Sequence, residues 1–370
     1  MGIKLANIEN QSIQWETTRR LNFGFDMQAI NNRLRISGDI FHNTTNNLLT
    51  LKQLSYLTGL EYYWCNGGAM NNTGATVNLV GRAISTKDWK WEVGVSMGTY
   101  KNEITKLPDG TTFNSAKDGE LYGYTTDIYD ATILSAVGQS AGVFYGYETD
   151  GVYASTSDVP TVDGVPLSTQ DINTGIKTPF EAGDVKFIDQ NGDNTINLQD
   201  RVIIGNPNPD LYGNFTSNLM YKNFSLSATF NYSYGNDVYN YQRSLIESGS
   251  SFYNQTTAMT NRWQAEGDVT NMPRAMYGDP KGNNRFSDRW IEDGSYIRLS
   301  DITLSYKVPV SASWLQGLTV WCAGTNLLTL TNYFGSDPEF SFSNNVLYQG
   351  IDNGLLGHSR SFQIGVKINL

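Results

Sequence analysis

The sequence predicts an all-β protein: an antiparallel up-and-down transmembrane β-barrel with about nine long strands. Three observations predict it. Apolar and polar residues alternate with period 2, the alternating runs are long, and short turns alternate with long connections. A soluble β-sandwich or jelly roll predicts the same alternation with its apolar face inward. Strand length weighs against that alternative, because soluble strands average about 5–6 residues. Polar faces rich in Ser, Thr, Asn and Gly weigh against it too.

The elements follow in chain order. Leu21, Phe23, Phe25 and Met27 share one face, opposite Asn22, Gly24 and Asp26. Leu34, Ile36 and Ile40 oppose Arg33, Arg35, Ser37 and Asp39. A strand is expected over 74–86, where Val77 and Leu79 flank Asn78. Trp89, Trp91, Val93, Val95 and Met97 then oppose Lys90, Glu92, Gly94 and Ser96. After a strand at 210–222, Phe224, Leu226, Ala228, Phe230, Tyr232 and Tyr234 oppose Ser225, Ser227, Thr229, Asn231 and Ser233. Strands at 296–309 and 316–333 follow. In the first of these the apolar phase slips between Leu299 and Ile302, which predicts a bulge. Phe362, Ile364, Val366, Ile368 and Leu370 close the chain. Short turns are expected at 30–32, 85–88 and 222–223, and long connections at 51–73, 108–209, 240–294 and 334–356. One helix is expected, at 256–266.

Charge and composition exclude several classes. The 36 acidic and 26 basic residues leave a net charge of −10, so nucleic acid is not an expected partner. Tyrosine dominates the aromatics, with 22 residues, which suits half-wet strands or girdles at a membrane interface. Cys65 and Cys322 form no CxxC pair and read as packed thiols; His42 and His358 stand alone, so no His/Cys metal cluster is expected. No apolar run reaches the 18–20 residues of a membrane helix, and MGIKLANIENQSIQWE has no apolar signal-peptide core.

One stretch carries metal-binding spacing. DQNGDNTINLQD places oxygen-bearing groups at loop positions 1, 3, 5, 7 and 12: Asp189, Asn191, Asp193, the carbonyl of Thr195, and Asp200. Ile196 is the apolar residue at position 8. The loop is a candidate Ca2+ site with two departures. Asn194 stands where Gly is usual, and the last ligand is Asp rather than Glu; both changes weaken binding. The competing reading is an Asx-turn loop held by hydrogen bonds alone.

Enzyme readings find little support. No GxSxG, HExxH, P-loop or dinucleotide fingerprint occurs. Asp337 and Glu339 in SDPEF have spacing compatible with a glycosidase pair, the basis for a secreted-glycosidase alternative. The plainer reading is a solvated turn with Pro338.

Six segments then resemble the SusC/RagA family of TonB-dependent outer-membrane transporters. IQWETTRRLNFGFDMQAINNRLRISGDIFHNTTNNLL (13–49) resembles the family's hairpin, and GQSAGVFYGYETDGVY (138–153) one of its loops. GDVKFIDQNGDNTINLQDRVIIGNPNPDLYGNFT (183–216), YIRLSDITLSYKVP (296–309), GTNLLTLTNYFGSDPE (324–339) and HSRSFQIGVKINL (358–370) are similar to further family segments, in the family's order. The resemblance implies that residues 1–370 are the C-terminal portion of such a barrel, and hence a partial barrel. Signal peptide, N-terminal sandwich domain and plug domain would be absent. It implies an outer-membrane location and TonB-dependent import of a glycan or peptide. Implied partners are a SusD-like surface lipoprotein, the TonB complex, outer-membrane lipid and an oligosaccharide or peptide substrate. It also places the Asp189–Asp200 loop outside the cell. Tyr62, Tyr63, Trp64, Tyr145 and Tyr147 become candidates for lining the mouth or lumen. The Phe362–Leu370 strand reads as an assembly signal. The remaining alternative is a soluble, calcium-stapled β-sandwich that binds carbohydrate.

Overall fold

The computed structural model describes all residues except 1–9, 54–61, 109, 116, 312–313, 341–342, 344 and 370. Among the described residues, nine long strands form one antiparallel sheet. They are β1 (Thr17–Ala29), β2 (Leu34–Gln53), β3 (Tyr62–Ser85), β4 (Trp89–Lys106) and β5 (Leu211–Tyr221). β6 (Phe224–Tyr234), β7 (Tyr296–Val308), β8 (Gly317–Thr331) and β9 (Ser361–Asn369) complete it. Strand order in space equals order in the chain, and among the described residues no ladder joins β9 to β1.

The pairing registers turn the alternation into two faces. Met27, Ile36, Leu79, Val95, Phe215, Phe230, Leu299 and Leu328 lie on one line across eight strands. The next line, one residue along, is Asp26, Ser37, Asn78, Ser96, Asn214, Asn231, Arg298 and Thr329. Side chains of consecutive strand residues point to opposite faces, so one face of the wall is apolar and the other polar. The apolar face stays uncovered: Phe23 is 72% exposed and Ile364 is 84% exposed. This is the pattern of a membrane barrel wall and the reverse of a sandwich, whose apolar face would be buried.

At the short-turn end the wall carries an aromatic row. Trp89, Tyr221, Phe224 and Tyr306 are register partners on four neighbouring strands. Their ring centres lie 4.2 Å apart for Trp89–Tyr221 and 4.5 Å for Phe224–Tyr306. Amphipathic rings in such a row suit the boundary between lipid and water. The slipped phase in β7 is a bulge, as expected: both of its ladders shift register between Leu299 and Asp301.

Several expectations need correction. β3 begins at Tyr62, so most of the expected 51–73 loop is strand; residues 54–61 lie outside the described residues. There Asn66, Asn71, Asn72 and Thr73 put polar side chains on both faces, and pairing rather than alternation defines the strand. Helix 256–266 reduces to a short 3-10 segment, Thr257–Asn261, ended by the bridge between Arg262 and Met272. An unexpected α-helix spans Tyr241–Ile246; its N-terminus is capped by the Asn240 side chain, which accepts from the Arg243 amide at 2.9 Å. Cys65 is buried, but Cys322 is exposed, on the apolar face between Leu304 and Ile364.

The long connections are not open loops. They fold together at the end opposite the short turns and hold the buried core. One cluster joins three of them: Ile133 and Phe144 from 107–210, Tyr239 and Trp290 from 235–295, and Ile351 from 332–360. Each large apolar side chain buried there contributes about 1.5–3 kcal/mol. The short strand Ala131–Ala136 shows why this body was hidden. All six of its residues are buried, so it has no alternation to detect. A second cluster, including Tyr153, Phe180, Phe187 and Ile196, lies beneath the Asp189–Asp200 loop.

Candidate functional site

Three features could act on a ligand: the polar face of the wall, the Asp189–Asp200 loop, and the cavities among the long connections. The polar face follows directly from strand periodicity. On β6, Ser225, Ser227, Thr229 and Asn231 succeed one another on it, and Ser227 Oγ donates to Asn218 Oδ1 at 2.7 Å. Such a surface offers many exchangeable hydrogen bonds and no reactive group.

The Asp189–Asp200 loop is closed by its own backbone. Asp189 Oδ1 accepts from the Gly192 amide at 2.8 Å and Oδ2 from the Asn194 amide at 2.7 Å. Asn191 Oδ1 accepts from the Asp193 amide at 3.0 Å, and Asp193 Oδ1 from the Thr195 amide at 2.9 Å. Asp200 accepts from Gln190 at 3.0 Å and from Asn197 at 2.7 Å. Asn194 takes the left-handed conformation at φ 61°, as its place at position 6 requires. Ile196 is fully buried and pins the loop to its cluster. Burial raises the pKa of Asp200, and the nearby charges of Asp189 and Asp193 add to the rise. Among the described residues, no group of three or more His, Cys, Asp or Glu stands where it could hold a metal. In this conformation the loop's own hydrogen bonds form Asx-turns.

A cavity of about 850 Å³ lies between the first and second long connections. Tyr147, Arg201 and Arg285 line one part of it, and Asp127, Asp130 and Tyr239 another. A second cavity of about 670 Å³ is lined by Tyr145 and again by Arg201. Arg201 and Arg285 stand over the Tyr147 ring, 5.1 Å from its centre for Arg285 and 5.6 Å for Arg201. Arg285 also donates to Thr169 Oγ1 at 2.6 Å and to two backbone carbonyls. Burial lowers its pKa, and the charge of Arg201 acts in the same direction.

The aromatic candidates do not converge. Tyr145 and Tyr147 are both buried in the strand Val143–Gly146 and just after it, and they line different cavities. Tyr62, Tyr63 and Trp64 pair in the wall with Gln53, Lys52 and Leu51; Tyr63 and Trp64 line neither cavity, and the Tyr62 side chain lies outside the described residues. Trp64 is exposed.

Asp337 is not in a solvated turn, and that expectation is corrected. It is 7% exposed and forms an ion pair with Arg298, which is 2% exposed on the polar face of β7. Its other oxygen accepts from the His358 amide and lies 2.8 Å from His358 Nδ1. These partners hold the Asp337 carboxyl down at about 2 despite its burial. Glu339 contacts the same guanidinium at 3.4 Å. The two carboxylates share an arginine and serve packing rather than acid–base chemistry. Arg298, Arg201 and Arg285 were not singled out from the sequence. Only Arg298 left a signal there, as a charge in the polar phase of YIRLSDITLSY.

The comparisons agree with this architecture. No family model matches the chain. TonB-dependent receptor P3 of Formosa agariphila is 32% identical over 376 residues, covering 99% of this chain and 35% of the relative. The TonB-dependent receptor SusC of Bacteroides thetaiotaomicron is 25% identical, covering 97% of this chain and 32% of the relative. Among solved structures, the RagAB peptide transporter superposes with a TM-score of 0.74 at 24% identity, over all of this chain and 37% of that one. The chain thus spans about a third of the length of its relatives, which are receptors and transporters rather than enzymes. Over about a third of their length this chain is similar to TonB-dependent receptors, SusC among them, and it shares its barrel-wall fold with the RagAB transporter.

Proposed function

We propose that the chain forms wall and outer mouth of a TonB-dependent importer in the cell outer membrane, taking up a glycan or a peptide. The observation that carries this reading is the pair of adjacent rows across eight strands, one apolar and one polar. The apolar row would face lipid and the polar row the substrate's route. The long connections, gathered at one end, would be the mouth, where a SusD-like surface lipoprotein hands over substrate. Energy from TonB would open the route, and no covalent step is needed. Trp64 at the mouth end of β3, with Tyr62 and Tyr63 beside it, and Tyr145 in the smaller cavity would meet the substrate. Tyr147 would support two guanidiniums from beneath. The names of the relatives support this reading.

A Ca2+ ion is proposed for the outer loop, with Asp189, Asn191, Asp193, the Thr195 carbonyl and Asp200 as its oxygen ligands. Support comes from the raised pKa of Asp200 among like charges, which a cation would offset.

The import reading is tested by growth. Cells with and without the receptor that contains this chain are grown on single oligosaccharides and on peptides as the limiting nutrient. Loss of growth on one class without the receptor is expected. Equal growth on every substrate would contradict the reading.

A further inference from the structure

We propose that the 850 Å³ cavity and its aromatic rim bind an acidic oligosaccharide, its carboxylate facing Arg201 and Arg285 and its rings stacking on Phe252 and Tyr277. This deepens the import reading and rests on it for its biological role.

Charge is the first support. Arg201 and Arg285 lie against one tyrosine ring and line the same cavity. Among the described residues, neither has a carboxylate within ion-pair distance, whereas three other buried or half-buried arginines do. Arg243 pairs with Glu247 and Glu292, Arg274 with Asp184 and Glu181, and Arg298 with Asp337 and Glu339. Two neighbouring guanidiniums repel each other, and an anion placed between them would relieve this. A planar guanidinium suits a carboxylate, which it can hold through two parallel hydrogen bonds.

Among the described residues no carboxylate on the cavity wall forms an ion pair with either cation, although the charge of Asp279 acts on Arg285. Asp279 accepts from the Asn283 and Asn284 amides at 2.7 and 2.8 Å, and Asp171 caps its own turn. Asp127 accepts from Thr132 Oγ1 at 2.7 Å. Asp127 and Asp130 lie with Tyr239 on the cavity wall, where carboxylate oxygens can accept hydrogen bonds from sugar hydroxyls. Asn284 also lines the cavity.

The rim supplies the second support. Ser250 and Gly278 line the cavity and are joined by a 2.9 Å backbone hydrogen bond. Tyr277 adjoins one of them, and Phe252 lies two residues from the other. Their rings stack with centres 5.0 Å apart, yet they are 75% and 91% exposed, and neighbouring Tyr253 is 79% exposed. Large rings held together in water at the edge of a polar cavity form a platform for the apolar face of a sugar. That platform favours a saccharide over an acidic peptide.

The test is calorimetric binding to the purified protein in detergent, which does not depend on import. The probes are an oligogalacturonate of four to six sugars, its carboxyl-reduced neutral counterpart, and an oligoglutamate. We expect the uronate to bind at least tenfold tighter than both others. Arg201→Gln should weaken the uronate about tenfold and leave the neutral sugar unchanged. Phe252→Ala with Tyr277→Ala should weaken both sugars; these side chains are exposed, so folding is retained. Equal binding of charged and neutral sugars, or no binding of any probe at millimolar concentration, would overturn the proposal. Tighter binding of oligoglutamate would overturn it in favour of acidic peptides. If the receptor supports growth on neutral glycans or peptides but does not bind uronate, this inference fails while the import reading stands.

Discussion

Asp337, in the connection after β8, is the buried ion-pair partner of Arg298, whose side chain leaves the polar face of β7. The contact ties the last long connection to the wall. Removing one partner of a buried pair leaves an uncompensated charge and costs about 3–5 kcal/mol. Asp337→Ala should therefore lower the melting temperature and open residues 332–360 to protease, while Glu339→Ala, at the exposed side of the same arginine, should do much less. Equal effects would show that Asp337 has no special place in the pair.

The same residue sets a pH dependence. The Asp337 carboxyl sits at about 2 in the folded protein against 3.8 ordinarily. A lowered carboxyl pKa stabilises the fold above the unfolded value and loses that contribution as pH falls through the folded value. The anchorage of 332–360 should hold at pH 5 and weaken progressively between about pH 4 and pH 2. Hydrogen exchange at the His358 and Glu339 amides, both donors to Asp337, checks it. Protection that is independent of pH across this window would contradict the assignment.

Asp200 has the opposite sign. Its raised pKa means that, without a cation, the charged form costs stability, and this cost appears as pH rises through the folded pKa. Ca2+ at neutral pH should remove the cost. Melting temperature should rise on adding Ca2+ and fall back with a chelator, and Asp189→Ala should abolish the response. A melting temperature indifferent to Ca2+ would leave the loop held by hydrogen bonds alone.

Gly213 marks a place where the wall tolerates no side chain. A Cβ there would lie 2.0 Å from the Ser96 carbonyl oxygen on β4 and 2.8 Å from the Tyr232 hydroxyl. Tyr232 is its register partner on β6 and donates across it to that same Ser96 oxygen at 3.0 Å. Gly213→Val should force β4 and β5 apart and cost about 1–3 kcal/mol. Reduced heat resistance of the folded band on a gel would register it; unchanged resistance would mean the wall yields.

Legibility followed periodicity. All nine wall strands could be seen in advance where they keep one apolar and one polar face, as Phe224–Tyr234 does over eleven residues, while the first half of β3, polar on both faces, could not. Even the bulge at Leu299–Asp301 was visible as a slip in phase. The body made by the long connections was not. Its strands are short, and some, like Ala131–Ala136, are buried on both faces, so length and alternation fail together. The Asp189–Asp200 spacing located a real turn because its backbone contacts are local. Arg285 and Tyr147 were a different case. Their meeting depends on packing between distant segments, and nothing within either segment announces it.

The central claim is that neighbouring residues on one strand face lipid and water. Spin labels at Leu226→Cys and Ser227→Cys, in a Cys322→Ser receptor reconstituted in bilayers, test it most directly. The account predicts that the label at 226 relaxes faster with oxygen, which partitions into lipid, and the label at 227 with a water-soluble nickel complex. Equal accessibility at both positions, or the reverse order, would contradict it.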